Sequence, residues 1–367
     1  MIGGEGVRFD HHHYIPCLRW KMGEYQAILK LCDESKDALT PLIEVPEIGF
    51  DFEEQKPKKS IDGHLAPFGR RVDQKWHNRP FFVDLKLICS GLRMGDGSHP
   101  VSFVLDDLRG KGCLAVPVFG FDRDSEYQKA VQDAAAIDGR GICIRVSVEE
   151  AARGIDKKVN SLLEKTSMVM GDLDLILDLG APNFVPVEGF SRVVKAIIGR
   201  IPKLNRWRTF SIIGTSFPAS MGEIKKSPEI LQRNEWLLYQ RLIDSLVVEG
   251  LRLPTFGDYG INHPDVLDLD MRFIKPSASI RYTIDDAWLF IKGPNVRDHG
   301  FAQYRDHCHN LVSSPEFMGP NFSFGDRYIA QCAAGTSGTG NLTTWRQIGT
   351  NHHLQKVVAD VASLNAF

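Results

Sequence analysis

YIPCLRWKMGEYQAILKLCDES, residues 14–35, places a short apolar run (14–20) directly before a segment whose apolar residues recur at helical spacing. The same unit returns along the chain. Further strand-like runs are LTPLIEVP (39–46), PFFVDLKLI (80–88), CLAVPVFGF (113–121), GICIRVSV (141–148), DLDLILDLG (172–180), RTFSIIGTSFP (208–218) and LRLPTFGDYG (251–260). Most lead into a helix-like stretch: SFVLDDLRGKG closes on Gly112, and SEYQKAVQDAAAIDG opens on Ser125 as an N-cap. SPEILQRNEWLLYQRLIDSLVVEG reads as one long helix with Ser227 as cap and Pro228 in the first turn. Strands joined by helical crossovers form a parallel sheet, and eight is the number at which such a sheet closes. An open doubly wound sheet announces itself with GxGxxG after its first strand, which is absent here. The pattern predicts a TIM-like (β/α)8 barrel.

Outside that rhythm, residues 1–13 read as a flexible leader containing the triplet His11–His13, and 14–367 as a single barrel domain. A polar, Lys-rich insertion is expected at 51–79 and an elaborated C-terminal insertion at 263–343. Within the latter, SIRYTIDDAWLFIKG (279–293) predicts an inserted β-hairpin turning at Asp285–Asp286, followed by extra helices. LQKVVADVASL (354–364) is the amphipathic last helix.

Composition narrows the function classes. Of 367 residues, 43% are hydrophobic and 25% charged, the balance of a folded globular chain. Lys plus Arg number 44 against 46 Asp plus Glu, which excludes a globally basic nucleic-acid coat but leaves room for a local basic groove. No apolar run is long enough to span a membrane, and the N-terminus lacks a secretory h-region. The seven cysteines are scattered, mostly inside apolar runs, without a CxxC pair. A cytoplasmic protein with reduced cysteines is the expectation.

Active groups of a barrel gather where its strands end. Those ends carry Arg19 and Lys21, Glu44, Asp84 and Lys86, Asp122 and Arg123, Arg145, Asp178, Ser216, and Asp258 with Tyr259. Glu44, Asp84, Asp178 and Asp258 are candidates for general acid–base work or for holding a divalent cation such as Mg²⁺. Arg19, Lys21, Lys86 and Arg281 are candidates for binding phosphate or carboxylate. Paired among themselves, the same groups would form only a salt-bridge lattice. The DLK triplet 84–86 downstream of Glu44 has the acid-x-Lys form of metal-dependent nucleases, a pattern common in strands. AAGTSGTGN (333–341) lacks a GK[ST] ending and reads as a surface loop; GTSFP around Ser216 is not GxSxG. In TWRQIGTNHHLQ (344–355), Asn351 is placed to cap a helix opening with His352 and His353, where a neutral imidazole can serve as a base or hydrogen-bond donor.

The motifs YIPCLRWKMGEYQAI and LTPLIEVP, with RLPTFGDYGINHP, SIRYT and WRQIGTNHH further on, resemble the beta family, phage- and prophage-associated bacterial proteins named after a bacteriophage beta protein. The likeness runs from Tyr14 to the final helix. It implies that Arg19, Lys21, Glu24, Glu44, Asp84, Asp258, Tyr259, Arg281, Tyr282, Asn351, His352 and His353 belong to family motifs, and it implies a mobile-element or phage-conflict setting without assigning a reaction. Two functions follow as expectations. One is binding, with or without hydrolysis, of a phosphate-containing ligand (a nucleotide or a nucleic-acid end) at the barrel mouth, with Glu44, Asp84, Asp178, Asp258 and His352 catalytic. On that reading Arg19, Lys21, Lys86, Ser216, Tyr259, Arg281, Tyr282 and His353 bind the ligand. The other is a non-enzymatic recognition module that contacts a protein partner or phage component through an exposed hairpin near Trp288 and the C-terminal insertion.

Overall fold

A computed structural model of the chain describes residues 8–265 and 274–364. In chain order its strands are β1 (Tyr14–Arg19), β2 (Leu42–Glu44), β3 (Phe50–Asp51), β4 (Lys56–Pro57), β5 (Phe81–Asp84), β6 (Ala115–Phe119) and β7 (Ile142–Ser147). They continue with β8 (Leu173–Asp178), β9 (Thr209–Gly214), β10 (Glu229–Gln232), β11 (Thr255–Asp258), β12 (Ser277–Thr283) and β13 (Ala287–Asn295). Eight of them close a barrel in the order β1-β11-β9-β8-β7-β6-β5-β2, every neighbouring pair parallel. Each lies within one of the runs read as strands from the sequence. They are buried on both faces, by the barrel interior and by the surrounding helices, which is why the runs are continuously apolar.

One apolar cluster defines the interior. Ile15, Cys17, Leu42, Phe82, Val116, Val118, Cys143, Ile176 and Ile213 come from the strands, and Tyr259 from just beyond β11. Strand alternation then fixes what lies two residues further toward the carboxyl end: Arg19, Glu44, Asp84, Arg145 and Asp178 all share the inward face. Sequence periodicity thus becomes a polar layer over an apolar one.

Around the barrel, three expectations change. The described part of the leader is packed: Phe9 covers the interior cluster beside Phe82, the Asp10 carbonyl accepts from Thr255, and His13 meets Thr40. An aromatic residue and paired polar groups hold 8–13 against the amino-terminal end of the barrel. Residues 51–79 hold the β3–β4 hairpin and helices Ile61–Leu65 and Phe68–Trp76, the second being the crossover between β2 and β5. Its apolar stripe of Phe68, Val72 and Trp76 is diluted by four exposed or half-buried basic and acidic neighbours. Ser227 and Pro228 start no helix. Residues 229–232 pair with β13 in an antiparallel three-stranded sheet, β10-β13-β12, and the helix begins at Asn234. The Ser227 hydroxyl accepts from the Lys292 backbone instead of capping.

The hairpin expected at 279–293 is β12–β13; its turn at Asp285–Asp286 is exposed, but most of its strand residues are buried. Trp288 is fully buried with Phe217, Ile224, Ile261 and Phe290. Helices Tyr304–Val312 and Phe324–Ala333 pack on the other face of the sheet around a second apolar cluster. The C-terminal helix runs unbroken from Leu342 to Leu364. Its Trp345 and Ile348 enter that second cluster, whereas Leu354, Val357 and Val361 enter the large cluster packed between the outer face of the barrel strands and the helices around them, the barrel's outer cluster. Five of the cysteines are buried and all are unpaired.

Candidate functional site

Arg145, on β7, is the centre of the polar layer and is 4% exposed. Its Nη1 donates to Glu44 Oε1 and Asp84 Oδ2, each at 2.8 Å. Nε donates to Asp178 Oδ2 at 2.9 Å, and Nη2 donates to the Tyr259 hydroxyl at 2.8 Å. Tyr259 in turn donates to Asp178 at 2.7 Å. Three carboxylates from three strands therefore clamp one planar cation, which the guanidinium fork suits better than an ammonium. Lys86 reaches Glu44 at 2.9 Å, Arg19 stands 3.7 Å from the other Glu44 oxygen, and Arg123 lies 3.6 Å from Asp84.

The charges set one another. Burial pushes the Glu44 carboxyl up, but Arg145 and Lys86 more than reverse this and hold it at about 2. Asp178 is likewise held below the usual carboxylate range: burial opposes ionisation, and Arg145, Lys86 and the Tyr259 hydroxyl overcome it. Burial and the Asp178 charge raise the Tyr259 phenol well above its ordinary value. These carboxylates stay ionised and are occupied by guanidinium and ammonium groups. They are poorly placed to take up a proton at neutral pH, and the surrounding cations compete with a divalent ion for their oxygens, of which Glu44 Oε2 alone has no hydrogen-bond partner among these two groups. Among the described residues, the His, Cys, Asp and Glu side chains close enough to share a metal ion are Asp10, His11 and His12, at the opposite end of the barrel.

Several expected site residues lie elsewhere. Gly257 faces inward, where a Cβ would meet Ile213 and the Ile15 carbonyl, so alternation turns its neighbour Asp258 outward. There Asp258 accepts from the Tyr14 hydroxyl at 2.5 Å and meets His353 Nε2 at 2.9 Å, while His353 Nδ1 meets Thr283. His352 bonds Asp326 and the Thr283 carbonyl, each at 2.8 Å, and stacks on Tyr282, whose hydroxyl donates to Asp326. Both histidines sit mid-helix and fully buried. Asn351 caps nothing: it accepts from the Gly325 backbone and donates to the Ala27 carbonyl. This Asp–His–Tyr lattice fastens the C-terminal helix to β11 and β12, away from the mouth. Ser216 accepts from the Asn234 backbone and bonds Glu235, which serves the start of that helix. Lys21 is exposed and pairs with Glu47. Arg281 lines a separate cleft.

The mouth opens into a cleft of about 810 Å³ beside Arg145, lined among others by Lys86, Arg123, Arg153, Lys158 and Asp178. Arg123 contributes a buried Nε with no hydrogen-bond partner, although its Nη1 holds Asp122. Arg123 and Arg145 stand at strand ends in the sequence, yet only the closed barrel shows that they converge.

Fold and site together define a (β/α)8-barrel protein whose mouth is built on a buried arginine clamped by carboxylates. Residues 14–359 match the Beta protein family, and the chain belongs to that family. No curated protein matches it. Among solved structures, a triosephosphate isomerase from Bartonella henselae is similar at 12% identity and a TM-score of 0.31, covering 67% of this chain and 91% of that one. The barrel assignment rests on this chain's own strand pairing. No helix among the described residues is long and apolar enough to cross a membrane.

Proposed function

We propose that the protein binds a phosphate-containing ligand, a nucleotide or a nucleic-acid end, in the cleft at the barrel mouth, within the phage- or mobile-element-associated setting that its family likeness suggests. The observation carrying this reading is the wall formed by Lys86, Arg123 and Arg145 beside a cleft of about 810 Å³, within the size range of small-molecule sites. The interior carboxylates satisfy Arg145, while the Arg123 guanidinium keeps a buried donor with no acceptor. A phosphate oxygen is the acceptor such a donor suits.

The same geometry favours binding over hydrolysis. A hydrolase needs a general base or a metal, and Glu44 and Asp178 are locked as counter-ions of Arg145. A protein-recognition role through the hairpin near Trp288 and the C-terminal insertion could not use the Trp288 ring, which is buried.

The test is thermal unfolding with ribonucleotides, deoxyribonucleotides and 5′-phosphorylated oligonucleotides. A ligand at 100 times its Kd adds about 2.7 kcal/mol, a readily measured rise in Tm. Arg123→Met is expected to fold and to lose most of that rise. A flat panel, or an Arg123→Met variant stabilised as fully as the native protein, would remove the proposal.

A further inference from the structure

A second basic cleft, of about 260 Å³, lies on the β1 side of the mouth and is lined by Arg19, Arg281, Arg346, Ser220, Asn262 and His263, among others. Its cations are treated unequally by the fold. Arg19 has the Glu44 carboxylate at 3.7 Å and donates to the Pro264 carbonyl. Arg346 donates to the Ile261 carbonyl at 2.8 Å and to Asn262 Oδ1 at 2.7 Å, with Glu24 close enough to favour its charge. Arg281 has no hydrogen-bond acceptor and no ion pair among the described residues, and its Nε is buried without a partner. Burial and the Arg346 guanidinium push its pKa down to about 9.

Bringing like charges together out of water costs free energy unless an anion joins them. Here the pairing is built in rather than incidental. Gly23 lets the Arg346 stem approach so closely that a Cβ at Gly23 would come within 2.5 Å of Arg346 Cγ, and β12 fixes Arg281 from the other side. Asp265, which lines the cleft, is 77% exposed at its side chain and lies 3.6 Å from His263.

We propose that this cleft is an anion site for a compact dianion, a phosphate monoester or terminal phosphate group, with Arg281 and Arg346 as its principal ligands. The volume fits a small head group rather than a whole nucleotide. Two guanidinium groups give the planar donors that a doubly charged phosphate accepts best. The assignment stands independently of the mouth cleft, because neither Arg281 nor Arg346 lines that cleft.

Calorimetric titration of the full chain with inorganic phosphate, methyl phosphate and dimethyl phosphate tests it. Phosphate and the monoester are expected to bind and the singly charged diester to bind far more weakly. Arg281→Met is expected to weaken phosphate binding at least about ten-fold, the loss of one charge-assisted contact. Its Tm in phosphate-free buffer is expected to equal or exceed the native value, since a repulsion is relieved. Lys129→Met, an exposed lysine of the helix Ser125–Asp138 that lines neither cleft, is the control and is expected to leave phosphate binding unchanged. Phosphate binding lost in Arg123→Met but kept in Arg281→Met would assign the anion to the mouth and overturn this site. Absence of phosphate binding by the native chain overturns the proposal, as does native-like binding by Arg281→Met. A fall in Tm for Arg281→Met without phosphate also overturns it, by showing the arginine to be structural.

Discussion

Arg145 shows how much one residue organises here. Removing a partner from a buried ion cluster leaves charge uncompensated and typically costs about 3–5 kcal/mol. Arg145→Met is expected to lose that amount in urea unfolding at pH 7, because Glu44, Asp84 and Asp178 lose their shared donor. Without the guanidinium, the largest influence lowering the Glu44 and Asp178 carboxyls is lost, and the burial that opposes their ionisation weighs more. The loss should therefore shrink as pH falls toward 4 and the acids protonate; a loss independent of pH would contradict the account. Glu24 and Glu235 behave in the opposite sense. Burial pushes each carboxyl up to about 7, with Arg346 opposing at Glu24 and Arg233 at Glu235. The folded state then holds more protons than the unfolded one from about pH 4.5 to 7, so each group lowers stability as pH rises through that window, by up to about 3 kcal/mol. Glu24→Gln and Glu235→Gln can still accept their hydrogen bonds. They are expected to flatten the pH dependence of denaturant midpoints and to raise stability at pH 8.

At the scale of elements, close approach of backbones decides where glycine is needed. Gly325, in the helix Phe324–Ala333, lies against the Ile348 carbonyl of the C-terminal helix, and a Cβ there would come within 2.5 Å of that oxygen. Gly325→Ala must push the two helices apart and is expected to cost about 1–3 kcal/mol in unfolding free energy, the range for overpacking a tight contact. Elements also show where local sequence signals misled. The Ser227-Pro228 dipeptide has the form of a helix start, but pairing of β10 with β13 gives its backbone stronger partners. Asn351 before two histidines has the form of a cap, but the apolar residues on both sides of it carry one helix through, from Leu342 to Leu364.

Across the whole molecule, the C-terminal helix joins the two apolar clusters, so the barrel and the β10-β13-β12 lobe should unfold together. Far-UV and near-UV circular dichroism are expected to report a single coincident urea transition. Leu354→Ala, within the barrel's outer cluster, is expected to lower stability by about 2–5 kcal/mol and to shift both signals equally. Separate transitions would show the lobe to be energetically independent. The Tyr14–Asp258–His353–Thr283 chain adds a polar fastening between the same parts.

The barrel was legible because eight buried parallel strands must be apolar runs, and helical crossovers must carry 3.6-residue periodicity between them. Both are local patterns that a single sequence displays. The inward polar layer was partly legible for the same reason: Glu44, Asp84, Arg145 and Asp178 each stand two residues beyond an apolar strand position. Which of two adjacent strand-end residues faces inward was not legible, because alternation gives the period but not the phase. Only closure of the barrel, with Gly257 against Ile213, turns Asp258 out and Tyr259 in. The sequence also could not foretell that Arg281 and Arg346 line one cleft, or that His352 and His353 are interior fastenings. Those contacts join distant segments through the packing of one helix on one sheet, and no local spacing encodes such an encounter.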